Sequence, residues 1–139
     1  MKKVLILVLL WIGLTGSSAR SQTDKVSSKV TAAASAWLAL TDVGKYSESW
    51  DAAASLFRSA VSSADWVKAL TSTRGPLGVV RTRQLKSTTV THSLPGAPDG
   101  DYVILQYDTV FEKKASASET VTPMKEKDGT WRVSGYFIK

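Results

Sequence analysis

The stretch RGPLGVVRTR, Arg74 to Arg83, decides the fold, because the chain changes its hydrophobic period there. Upstream, apolar residues recur every three or four positions; downstream, β-branched residues alternate with polar ones. The glycines and arginines also raise the alternative of a phosphate loop. A loop of the Walker type leads from a strand into a helix and ends in Gly-Lys-Ser or Gly-Lys-Thr. Here the order is helix, loop, strand, and no lysine follows either glycine. Gly75 and Gly78 are expected to take positive backbone angles on leaving the helix, and Pro76 keeps the helix from continuing. The segment therefore reads as a corner. Arg81 and Arg83 are expected on one strand face, solvated or ion-paired, with attachment to anionic envelope polymers as the sharper alternative.

Working upstream, Val26, Val30, Ala33, Trp37 and Leu40 repeat at helical spacing, and Gly44 fits a helix stop. Tyr46, Trp50, Ala53 and Phe57 continue the spacing on a second helix. Ser62, three residues before Asp65, resembles an N-terminal cap for a short third helix carrying Trp66, Val67 and Leu70. Downstream, four strands are expected over Val79–Thr91, Tyr102–Lys113, Ala117–Lys127 and Trp131–Ile138. The loop LPGAPDG, Leu94 to Gly100, separates the first two, and Asp128-Gly129 marks a two-residue hairpin. Three helices followed by hairpin-linked strands imply an α+β domain, with the helices on one face of a four-stranded antiparallel sheet.

Opposed residues of an antiparallel pair share a face, so register follows from where apolar residues meet. Setting Tyr107 against Val121 pairs Phe111 with Ala117 and Thr109 with Glu119. A tight turn at Asp128-Gly129 pairs Lys127 with Thr130, bringing Val121 opposite Tyr136 and Met124 opposite Val133. One face then carries Leu105, Tyr107, Phe111, Val121, Tyr136 and Ile138, with Thr109 and Glu119 among them. The other carries Ile104, Val110, Met124, Trp131, Val133 and Phe137. Helices can cover only one face, so the second apolar row stays partly exposed, curls inward or meets another chain. We expect a homodimer through it, with Ile104, Met124 and Val133 at the interface.

The first 19 residues, MKKVLILVLLWIGLTGSSA, combine two lysines, an apolar run and a small-residue end, the pattern of a cleaved secretory leader. The apolar run is shorter than the roughly 20 residues of a membrane span, and no cysteine is present to accept a lipid. The expected organisation is a leader over 1–19, a flexible lead-in over 20–25 and one domain over 26–139, in the periplasm or secreted. No membrane span is expected after cleavage. Losing Lys2 and Lys3 lowers the formal net charge from +6 to +4, too mild a balance to argue for nucleic acid. Without cysteine, thiol catalysis and thiolate metal sites are excluded.

Enzyme signatures are scarce. His92 is the only histidine and sits near a loop, so it has no imidazole partner for a metal; no metal or cofactor is expected. No serine lies in a G-x-S-x-G setting. The one catalytic candidate is Glu119, a carboxylate on the helix-facing side near Tyr107 and Tyr136, where an apolar setting would suit a general base. Tyr46 and Trp50, beside a helix start, are placed at the mouth of a pocket that Tyr107, Glu119 and Tyr136 would line. Trp37 and Trp66 read as core.

Gly44-Lys45-Tyr46 before Trp50, Arg74-Gly75-Pro76-Leu77-Gly78, Pro98-Asp99-Gly100, Tyr107 with Phe111, Glu119, and Asp128-Gly129-Thr130-Trp131-Arg132-Val133 with Gly135-Tyr136 carry a resemblance. Together they resemble the bacterial domain of unknown function family numbered 4019, over nearly the whole mature chain. That resemblance implies an exported bacterial protein without an assigned activity. The element order is also similar to the nuclear-transport-factor-2-like, cystatin-like superfamily, which implies a cone of three helices against a curved sheet. Its members include pocket isomerases, cyclases and non-catalytic binding modules. The catalytic aspartate of the isomerases has no counterpart on the core face of Tyr102 to Lys113. The expected function is a non-catalytic module binding a small molecule or an envelope protein; the alternative is a pocket enzyme using Glu119 with Tyr107 or Tyr136.

Overall fold

The computed structural model describes residues 17–139. The leader expected over 1–19 lies for the most part outside them. Helix α1 spans Ser17–Asp42 and takes in residues 20–25, so the expected lead-in is helical. Its buried side is Val30, Ala34, Trp37, Leu38 and Thr41, a stripe at helical spacing. Val26, expected on that stripe, is exposed.

The expected second helix is two. Helix α2, Tyr46–Ala52, and helix α3, Ser55–Ala60, are separated by Ala53 and Ala54 in extended conformation. The break has a physical cause: Ala54 N–H leaves the helical pattern and donates to the Val133 carbonyl at 2.8 Å, docking the junction on the sheet. Small side chains permit that close approach, and both alanines are fully buried. Helix α4, Ser63–Arg74, starts as expected, with Ser62 Oγ accepting from Asp65 N–H at 3.2 Å.

The corner follows as a single 3-10 turn over Gly75–Leu77 with Pro76 inside it. Only Gly78 needs glycine there: its φ is +73°, and a Cβ would come within 2.9 Å of the Glu112 side chain. Gly75 is right-handed helical, contrary to expectation, because the chain tightens from α4 into the 3-10 turn before it reverses. Strands β1 (Val80–Thr91), β2 (Tyr102–Phe111), β3 (Lys114–Lys125) and β4 (Trp131–Ile138) then form an antiparallel meander in the order β1-β2-β3-β4. The protein is an α+β domain, helices first and a curved four-stranded sheet after. Irregularities at Arg81 and Lys86 on β1 and along β2, β3 and β4 give the sheet its bend.

Two registers differ from expectation. Leu105 faces Val121, Tyr107 faces Glu119 and Thr109 faces Ala117, a displacement of two residues. A tight turn at Glu112 and Lys113 sets Phe111 opposite Lys114, so β3 begins three residues earlier than read. An even displacement keeps every residue on its face. At the other hairpin the loop has three residues, not two: Glu126 pairs with Thr130 and Gly129 takes φ +84°. That shifts the near end of the pairing by one, to Pro123 opposite Val133 and Met124 opposite Arg132. An irregularity beside Pro123, where Ser134 Oγ donates to the Thr122 carbonyl at 2.7 Å, shifts it back, so Val121 still faces Tyr136.

The consequence is a correction to the interface. Val133, expected outside with Met124, is fully buried in the helix-facing core, and Trp131 packs against that core with it. Ile104 and Met124 are half-buried on the outer face, where Phe137 is exposed.

In the helix layer, Ser49 ties two tryptophans together. Trp37 Nε1 donates to the Ser49 carbonyl at 2.8 Å and Trp66 Nε1 to its hydroxyl at 3.0 Å, which in turn donates to the Tyr46 carbonyl at 2.6 Å. Trp37 meets Tyr136 edge-on at 5.2 Å, and Phe57 meets Trp66 in the same way at 4.8 Å.

Candidate functional site

The two ends of RGPLGVVRTR come back together. Arg74, on the last turn of α4, lies at the i+4 position from Leu70 and i+8 from Trp66, so helical geometry turns it onto the buried stripe of that helix. Arg83, on β1, is paired with Thr109 of β2 and points under the helices. Both guanidinium groups reach Asp42 at the C-terminal end of α1. Arg74 Nη2 donates to Asp42 Oδ1 at 2.8 Å; Arg83 Nη1 and Nη2 donate to Oδ2 and Oδ1 at 2.7 and 2.9 Å, a bidentate clamp.

Glu119 of β3 completes the cluster from the sheet side. Its Oε1 accepts from Arg83 Nε at 2.8 Å and from the Thr109 hydroxyl; its Oε2 accepts from Arg83 Nη2 at 3.3 Å and from the Tyr136 hydroxyl. Arg74 Nη1 stands 4.0 Å from Oε2 and donates to Thr41 Oγ1 at 3.0 Å and to Tyr136 at 3.3 Å. Two cations and two carboxylates thus lie in one enclosure with Glu119 and Arg74 essentially inaccessible. The aromatic floor is supplied by Phe111, whose ring lies 5.0 Å from the Arg74 guanidinium.

The environment fixes the protonation states. Burial opposes ionisation of Asp42, but the hydrogen bonds from Arg83 and Arg74 outweigh it and hold the carboxyl below its ordinary value. Burial likewise opposes the charge on Arg83, and its bonds to Asp42 and Glu119 reverse that, raising it. Tyr136 is pushed well up, by burial first and then by the charge of Glu119, so it remains a donor. Tyr107 is raised for the same first reason, although Arg83 opposes the effect.

Two tests follow from these bonds. A group whose folded-state pKa is depressed contributes stability that is present above its unfolded value, 3.8 for Asp42, and is lost as pH falls through the folded value. Stability of the protein is therefore expected to fall with acid below about pH 4, and Asp42→Asn to flatten that limb while lowering the neutral plateau; urea titrations at pH 7, 4, 3 and 2 measure both. The two tyrosines should behave oppositely. Tyr136→Phe removes a hydrogen bond to a charged group, worth about 1.5–3 kcal/mol, whereas Tyr107→Phe removes a hydroxyl and should be neutral or stabilising. The Tyr107 hydroxyl is buried and has no hydrogen-bond partner among the described residues.

Of the residues expected to line a pocket, Glu119 and Tyr136 are brought into contact, and Tyr107 sits opposite Glu119 on the neighbouring strand. Tyr46 and Trp50 are not part of that group. They are half-buried on α2 around Ser49, with Trp50 Nε1 donating to the Val61 carbonyl at 2.7 Å. Arg81 does not share a face role with Arg83: it is exposed at the β1 irregularity, while Arg83 is drawn into the cluster. His92 forms an exposed pair with Asp101 at 3.0 Å. No group of three or more potential metal ligands occurs among the described residues, and no helix among them is long and apolar enough to cross a membrane.

Asp42, Arg74, Thr41 and Thr109 were not among the expected site residues. A signal for Arg74 was present, since it continues the stripe of Trp66 and Leu70 where an apolar residue would be expected. Asp42 had none, because it reads as an ordinary polar residue at a helix end.

No curated protein and no solved structure matches the chain. A family model described as "Protein of unknown function (DUF4019)" matches residues 33–136, from the middle of α1 through Tyr136 and so across every residue of the buried cluster. The chain belongs to that family.

Proposed function

We propose that the protein is an exported, non-catalytic ligand-binding or protein-interaction module of the bacterial cell envelope, built on a nuclear-transport-factor-2-like, cystatin-like cone. The leader-like N-terminus supports export. Helices followed by a curved antiparallel meander support the cone. One observation carries the non-catalytic reading. Glu119, the sole catalytic candidate, accepts four hydrogen bonds from within the protein, which fills the acceptor sites of a carboxylate, and it is wholly buried. A general base must reach a substrate proton, and this one is occupied on both oxygens. The cluster acts instead as a clasp that holds the helix-to-strand corner against α1 and β3.

Native mass spectrometry on protein purified from its own periplasm tests the reading. The expected result is a mass for residues 20–139 with a retained small molecule or a bound protein, a second copy through the Ile104 and Met124 face included. A mass that retains the leader, or a bare monomer, would contradict it. Turnover of a retained compound that disappears in Tyr136→Phe, in a variant that still folds, would restore the enzyme alternative.

A further inference from the structure

Two grooves flank the Ala54 to Val133 hydrogen bond where the α2–α3 junction docks on β4. On one side, between α1 and β4, a trough of about 350 Å³ is lined by Ala33, Ala36, Leu40, Ala52, Trp131 and Arg132, with Trp37 and Val133 beneath. On the other, between α3 and the β3–β4 hairpin, a groove of about 400 Å³ is lined by Ser55, Arg58, Glu126, Lys127, Asp128 and Arg132. Arg132 lines both. The residues of the first are apolar apart from Arg132; those of the second are all polar or charged, with their aliphatic stems forming part of the wall.

The charges of the second groove are unequally used. Glu126 accepts from Ser55 N–H at 2.7 Å and from its hydroxyl through both oxygens, at 3.2 and 3.0 Å. Asp128 Oδ1 accepts from Thr130 N–H and Oγ1 at 2.9 and 2.6 Å. The carboxylates thus have local donors. Among the described residues, Arg58, Lys127 and Arg132 form no salt bridge, and Arg58, stacked 6.0 Å from the Trp50 ring, keeps a buried Nε without an acceptor. The polar groove thus holds three cations against two carboxylates, an excess of one positive charge with Arg132 acting on Asp128, beside an apolar trough of small-ligand size, which runs from about 300 Å³ upward.

We infer that this surface binds a single-chain anionic amphiphile, an alkyl carboxylate or alkyl phosphate, with its chain in the Ala33–Ala36–Leu40–Trp131 trough and its head on Arg132, Arg58 and Lys127. The inference rests on the binding-module reading and gives it a site and a ligand class. Apolar walls select the chain by burial, and Arg132, which lines both grooves, selects the charged end.

Isothermal titration calorimetry of the mature protein with sodium dodecanoate and with dodecyl phosphate, each below its micelle concentration, tests it. Saturable one-to-one binding is expected, with Arg132→Gln weakening it about tenfold, the loss of one hydrogen bond to a charged group. Ala36→Glu, an exposed helix position that tolerates the change, should weaken it as well by placing a carboxylate in the trough. Dodecyl maltoside, which has the chain without the charge, and inorganic phosphate, which has the charge without the chain, should each bind much more weakly. Equal binding of the maltoside, indifference to both substitutions, or association only with phosphatidylglycerol vesicles and not with monomers would overturn the inference. If these amphiphiles fail while another compound is retained from the periplasm, the ligand class falls and the binding-module reading stands.

Discussion

Glu119→Ala is expected to destabilise the folded protein by about 3–5 kcal/mol, the cost of removing one partner from a buried ion pair. The substitution leaves Arg83 Nε and the hydroxyls of Thr109 and Tyr136 without their acceptor, in a space that Thr109, Arg74 and Glu119 itself close to solvent. Arg83 would retain only Asp42, which then serves two arginines with one carboxylate. The penalty is mainly that of buried charge left uncompensated. Replacing Glu119 and Arg83 together by leucine and methionine should therefore recover part of the loss, since apolar packing of similar volume can equal or exceed a buried pair. Urea denaturation at pH 7 reads both. A Glu119→Ala protein as stable as the parent would mean that the carboxylate is spare, as a catalytic group is, and that the clasp does not exist.

Trp37→Ala is the second large effect, also expected at about 3–5 kcal/mol, the usual range for deleting a buried tryptophan. Trp37 is 3 % exposed and joins the layers: its ring meets Tyr136 of the sheet and Trp66 of α4, and its Nε1 holds the Ser49 carbonyl. Removing it opens a cavity and leaves that carbonyl without its indole donor. Trp37→Phe fills most of the volume and isolates the second component, so it should cost less, about 1–3 kcal/mol, the penalty of a buried polar group left unpaired. Thermal melts of the two variants side by side check the order; equal losses would show that the lost indole hydrogen bond, common to both variants, accounts for the whole effect and that the packing contributes nothing.

The class of fold was legible because periodicity changes at the corner and because a single-domain chain of this kind must bury one face of its sheet. Face assignment on β2 and β3 survived a two-residue error in register, since side chains alternate with period two and the displacement was even. On β4 the same logic failed for Val133. Asp128-Gly129 reads as a two-residue turn, and nothing local distinguishes it from a three-residue loop with glycine at the left-handed position; the compensating irregularity beside Pro123 is a tertiary feature. The break between α2 and α3 was hidden for a similar reason. Ala53 and Ala54 are good helix formers, and a bond to Val133, nearly eighty positions away in the chain, overrides their preference.

The site was half legible. Alternation placed Glu119 inward beside tyrosines, and that is where it lies. Its partners were not readable, because an ion cluster assembled from α1, α4, β1 and β3 leaves no spacing in the sequence. Arginines on a strand are usually solvated, and Arg81 is; Arg83, two residues on, is consumed by Asp42 and Glu119. The irregularity at Arg81 separates their fates. Register gains from the arrangement: a slip of one would present Thr82 or Gln84 to Asp42 and Glu119 in place of the guanidinium.

The central claim, that these charges form one structural clasp, is tested most directly by a double-mutant cycle between Asp42→Ala and Arg83→Ala, measured by urea denaturation at pH 7. Coupling at the upper end of the range for residues in one network, about 2–3 kcal/mol, is the predicted result. Additive losses, with coupling below about 0.3–0.5 kcal/mol, would contradict it, and the corner would then be held by packing alone.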